Sequence, residues 1–339
     1  MRGTQVYHLI HHQAEAWHAT LPWAQPLPFS GPYIFSGSGS SYYLAQTAAH
    51  FARFLGLEAR AVASTDILLE PEIALRGTGC LIIISRSGTT SEALWALQAA
   101  READWRTVAV TCHPDSPLAA HAEHLILSPE GEDATIVMVQ SFSSMLFILQ
   151  QVLQLTATVS RVSEELVAAV DDMVQQAEAV IPPLLAAHPP RRLYVLGSGV
   201  RYGIAQEGAL KAQEMSNQCA MAYAPMEFRH GPWGSITPDD LIVVLGQTRH
   251  RSHERTVVRD IAHRQGQVLV IAQPDWHHSG ADYSAIQLPA SCPDVALGPL
   301  AVIPLQYLAW QWTLLVNKDP DHPVNITQVV ELDHDDFAP

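Results

Sequence analysis

The chain contains one pattern twice. Ile34-Phe-Ser-Gly-Ser-Gly-Ser-Ser-Tyr42 reads as an apolar strand, a Gly-Ser-Gly turn and the start of a helix, and Val195-Leu-Gly-Ser-Gly-Val-Arg-Tyr202 repeats that order. Gly37 and Gly197 lie 160 residues apart. The step persists: Leu81-Ile-Ile-Ile84 answers Leu241-Ile-Val-Val244, Val108-Ala-Val110 answers Val268-Leu-Val270, and Pro114-Asp115 answers Pro274-Asp275. Two late apolar helical stretches, Phe142 to Leu153 and Leu300 to Leu315, keep nearly the same step. A period this long marks a duplicated domain, because solenoid repeats run only to about 50 residues.

Within each copy, short uninterrupted runs of Val, Ile and Leu alternate with helical patterns. Such runs predict strands buried on both faces, hence a parallel sheet with right-handed crossovers and a doubly wound α/β fold. Ligands of such sheets sit beyond the carboxyl ends of the strands, where both Gly-Ser-Gly turns fall. A helical stretch from about Glu164 to Ala187, broken by Pro182-Pro183 and followed by Pro189-Pro190, predicts the link between copies, with the boundary near Pro189. Residues 1–30 are expected to form an N-terminal helical extension, 31–188 the first domain, 189–332 the second, and 333–339 a tail.

The formal net charge of −15 argues against a nucleic-acid partner. It also requires any anion site to be built locally, from backbone amides and a few cations. There is no apolar span of 18 residues and no charged-then-apolar leader, so no membrane partner is expected and the location is read as cytoplasmic. Cys80, Cys112, Cys219 and Cys292 form no C-x-x-C pair, and His11-His12 and His277-His278 are adjacent rather than spaced as helical ligands. No metal and no cofactor is expected.

Two segments carry chemistry. The run Leu81–Ile84 leads directly into Ser85-Arg-Ser-Gly-Thr-Thr90, and a helical pattern follows from Ser91. Hydroxyls, backbone N–H groups and the positive end of a helix together make an anion cradle. Gly88 lets the backbone approach, and Arg86 adds a charged fork. The plainer reading is a capping box with Glu92, which needs a single hydroxyl. The Gly-Ser-Gly turns lack the third glycine of a dinucleotide fingerprint, since Tyr42 and Tyr202 stand there. They read instead as a polar wall, with hydroxyls from Ser36, Ser38 and Ser40 in the first copy. In the second copy Leu245 falls opposite Ser85, so the serine-rich cradle belongs to the first copy alone.

The second segment is Glu207-Gly-Ala-Leu-Lys211-Ala-Gln-Glu214, followed by Glu227-Phe-Arg-His230-Gly-Pro232. Carboxylate, ammonium and imidazole are the groups that move a proton between adjacent sugar carbons. Aldose–ketose exchange needs an opened ring, a proton taken from one carbon and returned to the next, and a stabilised enediolate. The plainer alternatives are an exposed i, i+4 ion pair for Glu207 and Lys211, and a simple loop turn for His230.

Taken together, the duplicated strand–G-S-G–helix unit, S-x-S-G-T-T, E-G-A-L-K-x-x-E and F-R-H-G-P resemble the sugar isomerase (SIS) family with two tandem SIS domains. The likeness runs from about Pro32 to Leu332 and is strongest to the isomerase half of glucosamine-6-phosphate synthase; ketose/aldose isomerases, deaminases and fructosamine-phosphate deglycases share the frame. The resemblance implies two doubly wound α/β domains, each with a five-stranded parallel sheet flanked by helices. It implies that Ser85, Arg86, Ser87 and Thr90, with Ser36, Gly37 and Ser38, hold the anion of a sugar phosphate or related sugar. Glu214 would shuttle the proton between C1 and C2, Lys211 would polarise sugar oxygens, and His230, supplied by a neighbouring subunit, would serve ring opening. A homodimer with a shared active site follows from that.

Two family lysines are absent: Gln328 stands in the tail motif Asn325-Ile-Thr-Gln-Val-Val330, and Gln140 in Val137-Met-Val-Gln-Ser-Phe142. Gln328 remains a candidate substrate contact, but it cannot form a Schiff base or carry charge. With about 30 residues ahead of the first strand, no glutaminase domain and no glutamine-dependent amination are expected. The expected function is a metal-independent aldose–ketose isomerase of an anionic hexose, a 6-phosphate or a sulfonate analogue. The alternatives are an amino-sugar phosphate deaminase or fructosamine-phosphate deglycase, and a non-catalytic sugar-phosphate sensor.

Overall fold

The structure, a computed structural model, describes residues 2–278, 282–330 and 332, so the tail expected at 333–339 lies outside the described residues. The chain divides into two compact units, neither continuous in sequence. One comprises Glu15–Ala134, Gln140–Arg161 and Thr327–Pro339; the other comprises Met1–Ala14, Thr135–Val139 and Val162–Ile326.

The first unit holds five strands: β1 (Tyr33–Gly37), β2 (Ala59–Ala63), β3 (Cys80–Ile84), β4 (Arg106–Thr111) and β5 (His124–Leu127). They pair in the order β2-β1-β3-β4-β5, and every pairing is parallel. All five residues of β3 are buried, which is why its sequence shows no alternation. Ile34, Leu81, Ile83 and Ala109 pack on Ala93, Ala96, Leu97 and Ala100 of the Ser91–Glu102 helix. The helices Ser40–Phe54 and Gln140–Thr156 cover the opposite face.

The second unit repeats this with β6 (Arg192–Leu196), β7 (Cys219–Tyr223), β8 (Asp240–Leu245), β9 (Gln267–Ala272) and β10 (Ser284–Gln287). Its order, read from the far edge, is β7-β6-β8-β9-β10, the first sheet copied strand for strand. Tyr194, Leu196, Ile242, Val244 and Val270 pack on Val257, Val258 and Ile261 of the Arg251–Ala262 helix. The chain therefore carries two five-stranded parallel sheets flanked by helices. In each, the order reverses between the strand that ends in Gly-Ser-Gly and its neighbour β3 or β8, which opens a crevice at the strand ends.

Two local expectations are corrected. The helix Val170–Ala187 runs unbroken through Pro182 and Pro183. Adjacent prolines remove two N–H donors, and the helix survives because it packs along the Gly298–Leu315 helix of the same unit. The second correction concerns register. Ser85 N–H bonds to Val110 O, and the matching bond in the second unit runs from Gly246 N–H to Ile271 O, both at 3.0 Å. Gly246, not Leu245, is the counterpart of Ser85; the step is 160 at the Gly-Ser-Gly turn and 161 beyond it. No helix among the described residues is long and apolar enough to cross a membrane.

Candidate functional site

In the first unit, the Gly37-Ser-Gly39 turn follows β1 and the Ser85–Thr90 loop follows β3, so both lie where the strand order reverses. Gly88 has φ 65°, and a Cβ there would lie 2.2 Å from Ser116 Oγ, so the loop needs glycine at this point. Ser85 Oγ accepts Gly88 N–H at 3.1 Å and lies 3.3 Å from Thr90 Oγ1. Ser87 Oγ accepts both the N–H and the O–H of Thr89, at 3.2 and 2.9 Å. None of these hydroxyls caps the following helix: Thr90 is its N-cap and makes no side-chain cap bond. A cavity of about 380 Å³ opens beside the loop, lined by Ser87, Thr89, His113, Asp115 and Ser116.

The other first-copy candidates differ in availability. Ser38 Oγ is buried without a hydrogen-bond partner. Ser36 Oγ, fully buried in β1, is spent on Ser64 Oγ at 3.0 Å. The Arg86 guanidinium is buried and lies 3.6 Å from Asp133 and 3.9 Å from Glu132, so its charge is balanced inside the protein. Gln140 is structural: its amide donates to Glu132 O at 2.7 Å and Glu130 O at 3.3 Å, holding the segment that faces Arg86. Gln328 is exposed and makes no side-chain hydrogen bond among the described residues.

In the second unit, Glu207, Lys211 and Glu214 share one face of the Tyr202–Ser216 helix. Lys211 Nζ lies 3.5 Å from Glu207 Oε1 and contacts Glu214 Oε2 directly. Glu207 is completely buried, so this is no surface ion pair. Of the three side chains only Glu214 reaches solvent appreciably, at 21% exposure. His230 is exposed on the loop after the Pro225–Phe228 turn; its N–H bonds to Glu227 O at 2.9 Å, and its imidazole has no partner among the described residues. Trp233, three residues on, has the guanidinium groups of Arg264 (3.9 Å to the ring centre) and Arg229 (5.3 Å) over its ring.

A buried carboxyl escaped sequence reasoning. Glu254 is 2% exposed; its Oε2 accepts Gln247 N–H at 2.8 Å and Trp276 Nε1–H at 2.9 Å, and its Oε1 lies 3.5 Å from Ser198 Oγ. Burial pushes its pKa up to about 7, against the pull of those two N–H donors. The signal was a glutamate at a core position of an apolar helix face. Among the described residues no group of three or more His, Cys, Asp or Glu side chains is arranged to hold a metal ion.

Comparison with known proteins agrees with this layout. The SIS domain family matches residues 32–155 and 188–316. The isomerizing glutamine–fructose-6-phosphate aminotransferase of Shewanella oneidensis is 27% identical over 318 residues, covering 87% of this chain and 51% of the relative. That of Zymomonas mobilis is 27% identical over 316 residues, with the same coverage of 87% and 51%. The chain thus spans about half the length of the curated relatives it matches. Among solved structures, glucosamine-6-phosphate deaminase from Thermotoga maritima superposes with a TM-score of 0.83 at 23% identity, covering 97% of this chain and 100% of that one. Tagatose-6-phosphate ketose/aldose isomerase from Escherichia coli gives 0.79 at 24% identity, covering 96% and 98%. At these identities the structural likeness is one of fold.

Proposed function

Because the chain belongs to the SIS domain family, which matches both of its copies, we propose that it is an aldose–ketose isomerase acting on an anionic hexose, a 6-phosphate or a sulfonate analogue. One observation carries the reading: a lysine buried between two carboxylates, only one of which is open to solvent. A buried ammonium paired in this way is a fixed positive charge, and Glu214 is the carboxylate a substrate can reach.

In the reaction, Glu214 takes a proton from C1 of the open-chain ketose. The electron pair moves into the C1–C2 bond, the carbonyl π electrons settle on O2, and Lys211 stabilises the resulting enediolate. Glu214 returns the proton to C2 while the O1 proton passes to O2, giving the aldose with its C1 carbonyl and C2 hydroxyl. His230 moves a proton between the anomeric hydroxyl and the ring oxygen, and its unpartnered, exposed imidazole suits presentation to a neighbouring subunit in a homodimer. The anion is held by Ser38 and the Ser85–Thr90 loop, where hydroxyls not used for capping and the N-terminus of a 12-residue helix meet. With Arg86 already balanced by acids, those neutral donors carry the recognition.

The test is Glu214→Gln. Deuterium wash-in from D2O at C1 or C2 should fall by about 10²–10⁴-fold with sugar-phosphate binding retained. Undiminished exchange would refute the assignment. Ammonia release from an amino-sugar phosphate without isomerisation of any sugar phosphate would move the reading to a deaminase.

A further inference from the structure

The two copies differ at one position in a way that explains why only the first offers an anion site. Ser38 and Ser198 are counterparts, because Ser41 N–H bonds to Ser38 O as Arg201 N–H bonds to Ser198 O. In the first copy the Ser38 hydroxyl is buried and unpartnered. In the second, Ser198 Oγ lies between Gln247 Nε2 at 3.1 Å and Glu254 Oε1 at 3.5 Å. The helices align by their ends: the left-handed residues Asp104 (φ 57°) and Gln265 (φ 63°) follow them at the 161 step. Their buried faces agree, with Ala93, Ala96, Leu97 and Ala100 answered by Glu254, Val257, Val258 and Ile261. Glu254 therefore stands where the first copy has Ala93.

We propose that the second copy is a self-liganded anion site, in which the Glu254 carboxyl occupies the position that an external anion takes in the first copy. It collects the donors such an anion would use: a loop N–H, the indole N–H of Trp276 and the hydroxyl of the Gly-Ser-Gly serine. The charged neighbours oppose one another: Arg201 favours an anion there and Asp294 disfavours it. Arg201 is fully buried, spends Nη2 on Asp294, and leaves Nε and Nη1 without partners. The Asp294 carboxylate is paired with that guanidinium and also faces Glu254, so with the Glu254 carboxyl in place neither the space nor the positive charge is left for an external anion. The chain accordingly binds one anion, in its first copy. The equivalence with the first copy rests on the anion role given to Ser38 and the Ser85–Thr90 loop; the occupancy of the second copy does not.

Glu254→Ala restores the first copy's residue and empties the position. Inorganic phosphate or acetate, titrated at pH 8, should then raise the Tm of the variant by about 3–5 °C for each tenfold increase above its Kd, and should not do so for Glu254→Gln, where the position stays filled. If Glu254→Ala is not recovered folded, Glu254→Ser, which keeps one acceptor for the indole, takes its place. A folded variant with no anion-dependent rise beyond wild type overturns the proposal, as do two phosphates bound per wild-type chain in calorimetry. Wild type that binds no phosphate while Glu254→Ala gains a site refutes the first-copy reading and leaves the second-copy one standing.

Discussion

Replacing Glu254 by Gln should remove a specific piece of the protein's pH dependence. The carboxyl is 2% exposed, so solvent screening needs no discount. Its folded pKa stands at about 7 against an ordinary 4.5, with burial as the largest cause and Asp294 adding to it, opposed by the Gln247 and Trp276 N–H donors and by Arg201. A raised folded pKa means that the native state holds the proton more tightly than the unfolded chain. The stability this contributes is complete below about pH 4.5 and is lost as pH rises through about 7. At about 1.4 kcal/mol for each pH unit between the two values, the loss is about 3 kcal/mol.

Glutamine keeps an oxygen for the two N–H donors and cannot titrate, so the variant should lack that loss. The measurement is urea unfolding of both proteins between pH 5 and pH 8, read as the difference between them. Wild type alone is ambiguous, because burial lowers the pKa of His50, His124, His250 and His277, and such groups add stability as pH rises. Those terms cancel in the difference. Wild type should lose about 3 kcal/mol relative to Glu254→Gln across the range, most of it between pH 5 and 7. A difference that stays constant with pH would show that Glu254 titrates normally and would remove the argument for a desolvated internal carboxyl.

Two further outcomes follow from named contacts. Gly88→Ala places a Cβ 2.2 Å from Ser116 Oγ at a left-handed backbone, so the anion loop should distort, and KM for a sugar phosphate should rise about tenfold or more with a smaller change in kcat; unchanged KM would remove the loop from the site. Native thiol titration should find one fast cysteine, the exposed Cys219, because Cys80, Cys112 and Cys292 are buried and burial raises each thiol's pKa, that of Cys80 to about 12; a second fast thiol would contradict the burial of the strand ends.

The strands and the duplication were legible because burial on both faces leaves unbroken apolar runs, and a parallel sheet has few other ways to arise. The surplus of hydroxyls in the Ser85–Thr90 loop was legible, and Thr90 makes no side-chain cap bond; anion binding by the loop is our proposal. Electrostatic partnership was not legible. Arg86 looked like a ligand for an external anion, yet Glu132 and Asp133, more than 40 residues away, balance it. Gln140 looked like a lost lysine and is in fact a brace for those acids. Nothing in local sequence reports which distant carboxylate a guanidinium will meet.

The second copy was misread for a sharper reason. A single offset of 160 cannot register one extra residue that enters between the Gly-Ser-Gly turn and the second strand: Gly37 pairs with Ala63, while Leu196, the counterpart of Ser36, pairs with Tyr223, the counterpart of Val62 at a step of 161. With that residue unseen, Ser85 fell opposite Leu245, and an offset of 160 sets Glu254 opposite the half-buried Leu94. At the true register Glu254 replaces the buried Ala93. Placing a carboxylate at a buried alanine position would cost several kcal/mol unless donors were waiting for it. The Gln247 N–H and the Trp276 indole N–H meet part of that cost, and the remainder shows in a pKa raised to about 7. On the proposed reading, in which the first copy holds the anion, the same substitution there would set a carboxyl beside the unpartnered Ser38 hydroxyl and close the site.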